Sequence, residues 1–522
     1  LIRSSTAPPA AHPSAAAHPT PAAHPAPAAH PTAAAHPAPA SQKSPAGRIS
    51  PAGVQPPPLR PTPAEALQAF RRVREFSRVI CSFLEPEDCV VQSMPEASPI
   101  RWHLAHTTWF FETFVLRELQ PDYRSPNEQF HYLFNSYYTT LGDPFPRPRR
   151  GLLSRPTVAE VWRYRQQVDE AVERELQRLQ QDGELQHRSP ASRESRAWES
   201  LSSVFQTGLQ HEQQHQELML TDIKHAFSCN PLYPTFDPSS ARPGQTAAAG
   251  NRAAAAGNRG AAAVSDEPWY EDSGGIVSIG HAGEAFAYDN ELPRHSVLLQ
   301  PFRLARTVVT NGQFLEFIEA GGYACSEHWL DAGWQVVQQQ KLSGPLYWVH
   351  RDGQWLEFTL AGLRPLDLAE PVCHVSFFEA DAYARWRGCR LPSEAEWEHV
   401  ASQWIDEPAS YGTFADDRRW HPQALRDVAS LQAGDGSPVT TGPRGLFGDV
   451  WEWTASPYLG YPGYRPPSGA IGEYNGKFMC NQFVLRGGSV ATSRDHLRVT
   501  YRNFFPPDAR WQFSGIRLAA DP

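Results

Sequence analysis

No stretch of about 18 apolar residues occurs anywhere in the chain, so no transmembrane helix is predicted. Cysteine is sparse, with seven residues at 81, 89, 229, 325, 373, 389 and 480 and no C-x-x-C pair among them. The odd number and the spacing exclude a zinc ribbon and a disulfide scaffold, and predict free thiols in a reducing, cytoplasmic setting. Positive charge is not in excess: 47 Lys and Arg against 56 Asp and Glu leave a net charge of −9. That balance argues against nucleic acid and against an anionic membrane as partner. No G-x-G-x-x-G follows a strand-like run, so no nicotinamide or flavin site is indicated. The first residues lack the charged start and roughly 7–15-residue apolar stretch of a secretory signal. Because the first residue is Leu, the true start is expected to be misassigned or truncated.

What is present divides the chain four ways. Residues 1–58 are an Ala/Pro/His-rich tail in which A-A-H-P-like units recur around His12, His18, His24, His30 and His36. Such a segment cannot bury enough surface to offset its ordering entropy, and disorder is predicted. Residues 59–235 carry helical periodicity. Thr62-Pro63-Ala64-Glu65 is a helix-start signature, followed by Leu67, Phe70, Val73 and Phe76. A second helix is predicted after Ser98-Pro99, with Ser98 as cap and Pro99 at its first position. A third runs from Thr157 to about Leu179 and a fourth from Ser195 to Phe227. Four helices with one long connection predict a four-helix bundle, in which metal sites form between facing helices. Residues 236–267 read as a flexible linker. From residue 268 to 522, short β-like runs (Ile276–Gly280, Ser296–Leu299, Val484–Gly488) and one or two helices (Asn311–Glu319, Phe378–Trp386) predict an α+β domain.

The most informative stretch is His211-Glu212-Gln213-Gln214-His215-Gln216-Glu217. On a helix, His211 and His215 share one face and can grip one ion, with Gln214 close to that face. The string H-E-x-x-H is also the zincin signature, with the Glu as general base. A metal needs a third ligand, and His103 or His106 in Trp102–Trp109 can supply it. Three neutral imidazoles suit Zn, Cu, Fe or Ni. His225 lies too far along the helix to share the ion. The connection of residues 120–156 holds Tyr137-Tyr138 and then Arg147, Arg149, Arg150 and Arg155, which are either solvated or placed for a substrate carboxylate.

Trp102-His103-Leu104-Ala105-His106-Thr107-Thr108-Trp109-Phe110-Phe111-Glu112, followed by the 211–217 heptad, resembles the DinB-like domain of the ergothioneine-pathway sulfoxide synthases. The strings Pro371–Ala380, Arg390–Glu398, Phe447–Thr454, Leu485–Ser489 and Tyr501–Leu518 resemble the formylglycine-generating-enzyme/sulfatase-modifying domain, a C-type-lectin-like fold. The resemblance implies an O2-dependent non-haem iron(II) oxidoreductase. It would join the sulfur of cysteine or γ-glutamylcysteine to C2 of hercynine (Nα-trimethylhistidine) and oxidise that sulfur to a sulfoxide. Its implied ligands of Fe(2+) fall on His106, His211 and His215, the context Ala105-His106-Thr107 selecting His106 over His103. Gln214 falls on the position that hydrogen-bonds the substrate imidazole. The family has a branch with a Tyr-Tyr pair in the helical domain, which Tyr137-Tyr138 matches. Adjacent residues of an extended segment point to opposite sides, so one of the two is expected to face the iron as proton donor, and Tyr138 is the choice. Asn503, Phe504 and Phe505 are the expected substrate wall, since an aromatic face attracts a quaternary ammonium. The reactive Cys pair of the formylglycine-generating enzymes has only Cys480 to match it. The alternatives are a 5-histidylcysteine sulfoxide synthase of ovothiol type, a zinc hydrolase, and a non-enzymatic lectin-like binding module. Oligomeric state is not legible.

Overall fold

The computed structural model describes residues 57–185, 193–240, 269–425 and 442–522, and side chains for all of these but 183–185 and 193–197. The tail expected to be disordered and most of the expected linker lie outside the described residues.

Helix α1 (Pro63–Cys81) starts where the sequence places it. Thr62 and Glu65 form a reciprocal capping box and Pro63 takes the first helical position, where its missing N–H costs nothing. Helix α2 (Ile100–Phe111) begins one residue later than expected, with Pro99 at the cap position. Ser98 does not cap it: its hydroxyl oxygen accepts instead from Arg150 (2.9 Å), and its backbone N–H donates to Asp222 on another helix (2.8 Å). Every residue of α2 is buried, and a π-helical turn over Glu112–Leu116 continues it. Helix α3 (Val158–Leu185) runs six residues past the expected Leu179, and α4 (Arg193–Ser228) contains the whole heptad. Both α1 and α2 pack on both α3 and α4, giving the predicted bundle. Gly208 allows the close approach of α4 to α2: an added Cβ would lie 2.8 Å from the Phe110 ring.

The C-terminal half is built from small sheets. Strands β1 (Trp269–Asp272), β4 (Phe302–Ala305) and β12 (Ala519–Ala520) form one, ordered β1-β4-β12, and β2 (Gly275–Ile279) pairs with β3 (His295–Leu299). Strands β5 (Trp348–Arg351), β6 (Gln354–Thr359) and β7 (Gly362–Pro365) form a meander. The fourth sheet is ordered β10-β9-β8-β11, from β8 (Trp451–Pro457), β9 (Phe483–Arg486), β10 (Asn503–Phe505) and β11 (Ser514–Gly515). Helix Asn311–Glu319 matches expectation, and Phe377–Trp386 begins one residue early under a Ser376–Glu379 capping box. Helices Asp331–Gln340 and Glu394–Trp404 were not anticipated; the second starts on a Ser393–Glu396 capping box in plain view.

The two halves share one hydrophobic core. Trp420 packs on Phe76, Phe83 and Phe236, and its indole N–H donates to Asp237 (2.9 Å). Phe236 and Asp237 are therefore buried, so residues 236–240 are not the free linker that composition suggests. Residues 57 and 58, at the end of the tail expected to be disordered, also differ from expectation, since Pro58 bridges Ala285 and the Phe286 N–H donates to the Pro57 carbonyl (2.8 Å). None of the seven cysteines is in a disulfide. Among the described residues no helix is long and apolar enough to cross a membrane.

Candidate metal centre and active-site cavity

His211 and His215 lie one turn apart on α4, and His106 faces them from α2. Their ligating nitrogens all fall within 4.8 Å of one another, with His106 Nε2 3.2 Å from His211 Nε2. All three rings are buried, and burial holds each pKa well under its ordinary value, His211 at about 3. For His106 and His215, repulsion from the neighbouring His211 ring adds to the effect. The three imidazoles are thus neutral donors at neutral pH. His106 lies between the rings of Trp102 (centroids 4.6 Å apart, 13°) and Trp109 (5.7 Å, 16°), and its Nδ1–H donates to the Phe134 carbonyl (2.6 Å). That bond leaves the Nε2 lone pair facing the other two rings.

His103 sits outside this triad. Its ring bridges Asp222 (3.0 Å) and His215 Nδ1 (2.8 Å). His225, also outside it, lies against Ser93 (2.7 Å). Glu212 points to the opposite side of α4, where its carboxylate accepts from Ser77 (2.6 Å), Arg74 (2.5 Å) and Arg165. The general base a zincin requires is therefore locked in an ion-pair cluster behind the metal helix. A second buried group, Glu357, Glu370 and His421, also brings ligand-type atoms together. There the Arg364 guanidinium already lies against both carboxylates, so the group is an ion-pair network closed by His421 (3.4 and 3.2 Å).

A cavity of about 370 Å³ opens in front of the triad, lined by residues of both halves. Of the residues expected from sequence, His211, His215, Gln214, Arg147, Arg150, Tyr137, Asn503, Phe504 and Phe505 line it. Arg149 does not; it is exposed, on a turn of 3-10 helix over Arg147–Leu152 whose buried residue is Arg150. The Arg150 guanidinium lies 3.3 Å from the Trp102 ring centroid and donates to Ser98 (2.9 Å) and Ser136 (3.2 Å). Phe504 stacks on Tyr458 (4.0 Å, 10°).

Tyr138 does not line the cavity. It is fully buried beneath Tyr137, against Trp109 and Phe114. The two tyrosines do not point to opposite sides, since their ring centroids are 4.7 Å apart. The cause is local: Tyr138 has ψ 75°, short of a pleated strand, and the Thr139 N–H donates to the Tyr137 carbonyl (2.9 Å) to close a turn. Glu473 of the C-terminal half holds this turn by accepting from the N–H and hydroxyl groups of both Thr139 and Thr140.

Sequence reasoning missed several cavity residues, among them Tyr474, Tyr501 and Glu217. Tyr474 donates to the Gln214 carbonyl oxygen, and the Gln214 amide nitrogen donates to the Tyr501 hydroxyl (2.7 Å). Glu217 accepts from Trp451, Thr492 (3.0 Å) and Ser489 (3.3 Å); burial nonetheless lifts its pKa to about 7. Glu217 stands in the heptad and Tyr501 opens a quoted string, but no local spacing ties Tyr474 or Tyr501 to α4.

The fold and site together define a class of protein, a helical bundle with a buried three-histidine centre joined to a sulfatase-modifying-type domain. Residues 21–219 match the DinB superfamily, and residues 273–522 match the sulfatase-modifying factor enzyme 1-like domain. The hercynine oxygenase of Mycobacterium tuberculosis is 32% identical over 467 residues, covering 86% of this chain and 97% of that protein. The hercynine oxygenase of Mycolicibacterium thermoresistibile is 33% identical over 453 residues, 82% of this chain and 88% of its own. The formylglycine-generating enzyme of Streptomyces coelicolor is 30% identical over 281 residues, 48% of this chain and 87% of its own. The chain belongs to the hercynine oxygenase family, which bears out the family resemblance and the two-part fold expected from sequence.

Proposed function

We propose that this chain is an iron(II)- and O2-dependent oxygenase of ergothioneine biosynthesis. It forms the C–S bond between cysteine or γ-glutamylcysteine and C2 of hercynine and delivers the product as a sulfoxide. The balance closes: the thiol S–H and imidazole C–H bonds break, one oxygen atom stays on sulfur, and the other leaves as water with the two hydrogens. The two substrates supply all four electrons, so no flavin or nicotinamide is required.

The observation that carries the proposal is the convergence of His106, His211 and His215, the last two of which line a cavity walled by both halves. The donor set fits the ion, because three neutral, buried imidazoles add no negative charge and leave a divalent cation its full charge. When bound, iron(II) supplies that charge, which favours the thiolate form of the substrate, and the redox chemistry that uses O2.

The remaining roles belong to the chain. Gln214 gives one amide N–H to Tyr501 and keeps a second for an imidazole nitrogen. Arg147 and Arg150 stand where a substrate carboxylate can be received, a role for which the guanidinium fork is suited. Phe504 offers an aromatic surface to the trimethylammonium group. Tyr137 holds a proton at its hydroxyl on the cavity wall, because burial raises its pKa, with the adjacent Tyr138 phenol only partly offsetting this. Localisation in the cytoplasm and the domain limits 59–235 and 268–522 complete the proposal.

The test is anaerobic loading with iron(II), then O2 with hercynine and each thiol, read by mass spectrometry. The expected product is the hercynyl sulfoxide with one of the two thiols. Turnover of histidine with cysteine in its place would assign the ovothiol-type reaction. A zinc-bound chain that hydrolyses peptides or esters would overturn the proposal.

A further inference from the structure

The side chain that lost the competition for the metal, His103, is placed to control one that won it. We propose that Asp222 and His103 form a carboxylate–imidazole relay that fixes the tautomer and direction of His215, making both positioning residues of the metal centre. The inference rests on the three-histidine centre proposed above.

The argument is one of hydrogen-atom accounting. Asp222 Oδ2 accepts the Ser98 backbone N–H (2.8 Å), so that oxygen is an acceptor. It lies 3.0 Å from His103 Nε2, which must therefore carry a hydrogen. A neutral imidazole holds one hydrogen, so with it on Nε2 the His103 Nδ1 presents a lone pair, as it must if His215 is to ligate through Nε2 and keep its own hydrogen on Nδ1. His215 Nδ1 stands 2.8 Å from that lone pair and must be the donor. His215 then carries its hydrogen on Nδ1, and its Nε2 lone pair is free for an ion. Asp222 sits seven residues beyond His215 on the same helix, and His103 comes from α2, so the relay also fixes α2 against α4 at the metal. His106 is pinned in the same sense by the Phe134 carbonyl. Partners of this kind raise ligand basicity and orient the ring, and their loss typically costs about 10–100-fold in metal affinity.

The relay separates three variants. Asp222→Ala removes the acceptor, and His103→Phe removes the relay ring while keeping its bulk. Asp222→Asn can place its carbonyl oxygen at the Oδ2 position, keep both hydrogen bonds and preserve the tautomer. The experiment is chelator competition for Co(II) on the full chain, with the visible Co(II) spectrum and the apoprotein melting temperature recorded for each variant. Asp222→Ala and His103→Phe are expected to bind Co(II) about 10–100-fold more weakly, and Asp222→Asn within about threefold of wild type. Wild type that binds Co(II) while Asp222→Ala and His103→Phe bind it equally well overturns the relay. Asp222→Asn falling as far as Asp222→Ala overturns the tautomer assignment. Wild type that binds no Co(II), or His106→Ala that binds it undiminished, overturns instead the metal centre on which the relay rests. If Asp222→Ala does not fold, His103→Phe against Asp222→Asn makes the same comparison.

Discussion

Removing the Glu212 carboxylate should cost stability before it costs chemistry. The group is fully buried and accepts hydrogen bonds from Ser77 on α1, Arg74 on α1 and Arg165 on α3. Asp169 lies 3.1 Å from Arg74, so two guanidiniums and two carboxylates balance in the interior. In Glu212→Ala one positive charge is left without a partner. Arg165, wholly buried, keeps only the Thr107 and Thr108 hydroxyls and the Leu104 carbonyl. Breaking a buried pair on one side costs about 3–5 kcal/mol. At about 2–4 °C per kcal/mol for a domain of this size, the melting temperature should fall by roughly 6–20 °C. Scanning calorimetry of the apoprotein measures it. The arginines hold the Glu212 pKa below its ordinary value of 4.5 against the opposing effect of burial, which is the largest single influence on the group. Its stabilisation is therefore present above pH 4.5 and is lost as pH falls from there through the folded value. The gap between wild type and Glu212→Ala should close over that acid range. Pairing Glu212→Leu with Arg165→Met should recover most of the loss, since matched apolar replacement of a buried ion pair is often neutral. A melting temperature within about 2 °C of wild type, with catalysis abolished, would instead make Glu212 the general base of a hydrolase and refute the ion-pair account.

Tyr137→Phe should slow sulfoxide formation by roughly 10²–10⁴-fold, with thiol dioxygenation to a sulfinic acid taking up the oxygen, while Tyr138→Phe has the smaller effect; product analysis by mass spectrometry with the order reversed would return the proton to Tyr138. Lys224 is buried against His374 (2.7 Å), and burial brings its pKa from 10.5 down to about 8. The unfolded chain binds the extra proton between those values, so stability should rise with pH from about 8 to 10.5. Lys224→Met should be more stable at pH 7 by about 1–3 kcal/mol and lack that rise, as urea titrations at pH 7 and 10 would register. Deleting residues 1–56, which keeps the Pro57–Leu59 contacts, should change turnover little and the melting temperature by under about 2 °C; a loss of several degrees would mean that the segment docks on the body.

What was legible in the sequence was local. Capping boxes located α1, and i, i+4 spacing put His211 and His215 on one face, because both depend on residues within a turn or two of each other. The error at the start of α2 arose because Ser98, a good cap by type, gives its hydroxyl oxygen to Arg150, 52 positions away. Arg147, Arg149 and Arg150 are indistinguishable as a string, and only the 3-10 turn separates the buried Arg150 from the exposed Arg149. Tyr474 reaches Gln214 across 260 positions of chain, a separation at which spacing carries no information. The order of Tyr137 and Tyr138 depended on one ψ angle that no propensity scale predicts.

The contacts of α4 also bear on why the two halves occur in one chain. The same helix that offers His211 and His215 to the cavity turns Gln210 to His496 (2.7 Å), Gln213 to Asp495, Glu217 to Trp451 and Thr492, and Lys224 to His374. Those four α4 side chains are buried, and each of these partners lies in the C-terminal half. A bundle cut free of that half would return them to water but lose the hydrogen bonds that fix the helix, along with Tyr474 and Tyr501, which hold Gln214 at the cavity. The sulfatase-modifying-type domain thus does more than line the cavity. It supplies the partners that set the rotation of the metal helix about its own axis, and with it the direction in which two of the three imidazoles point.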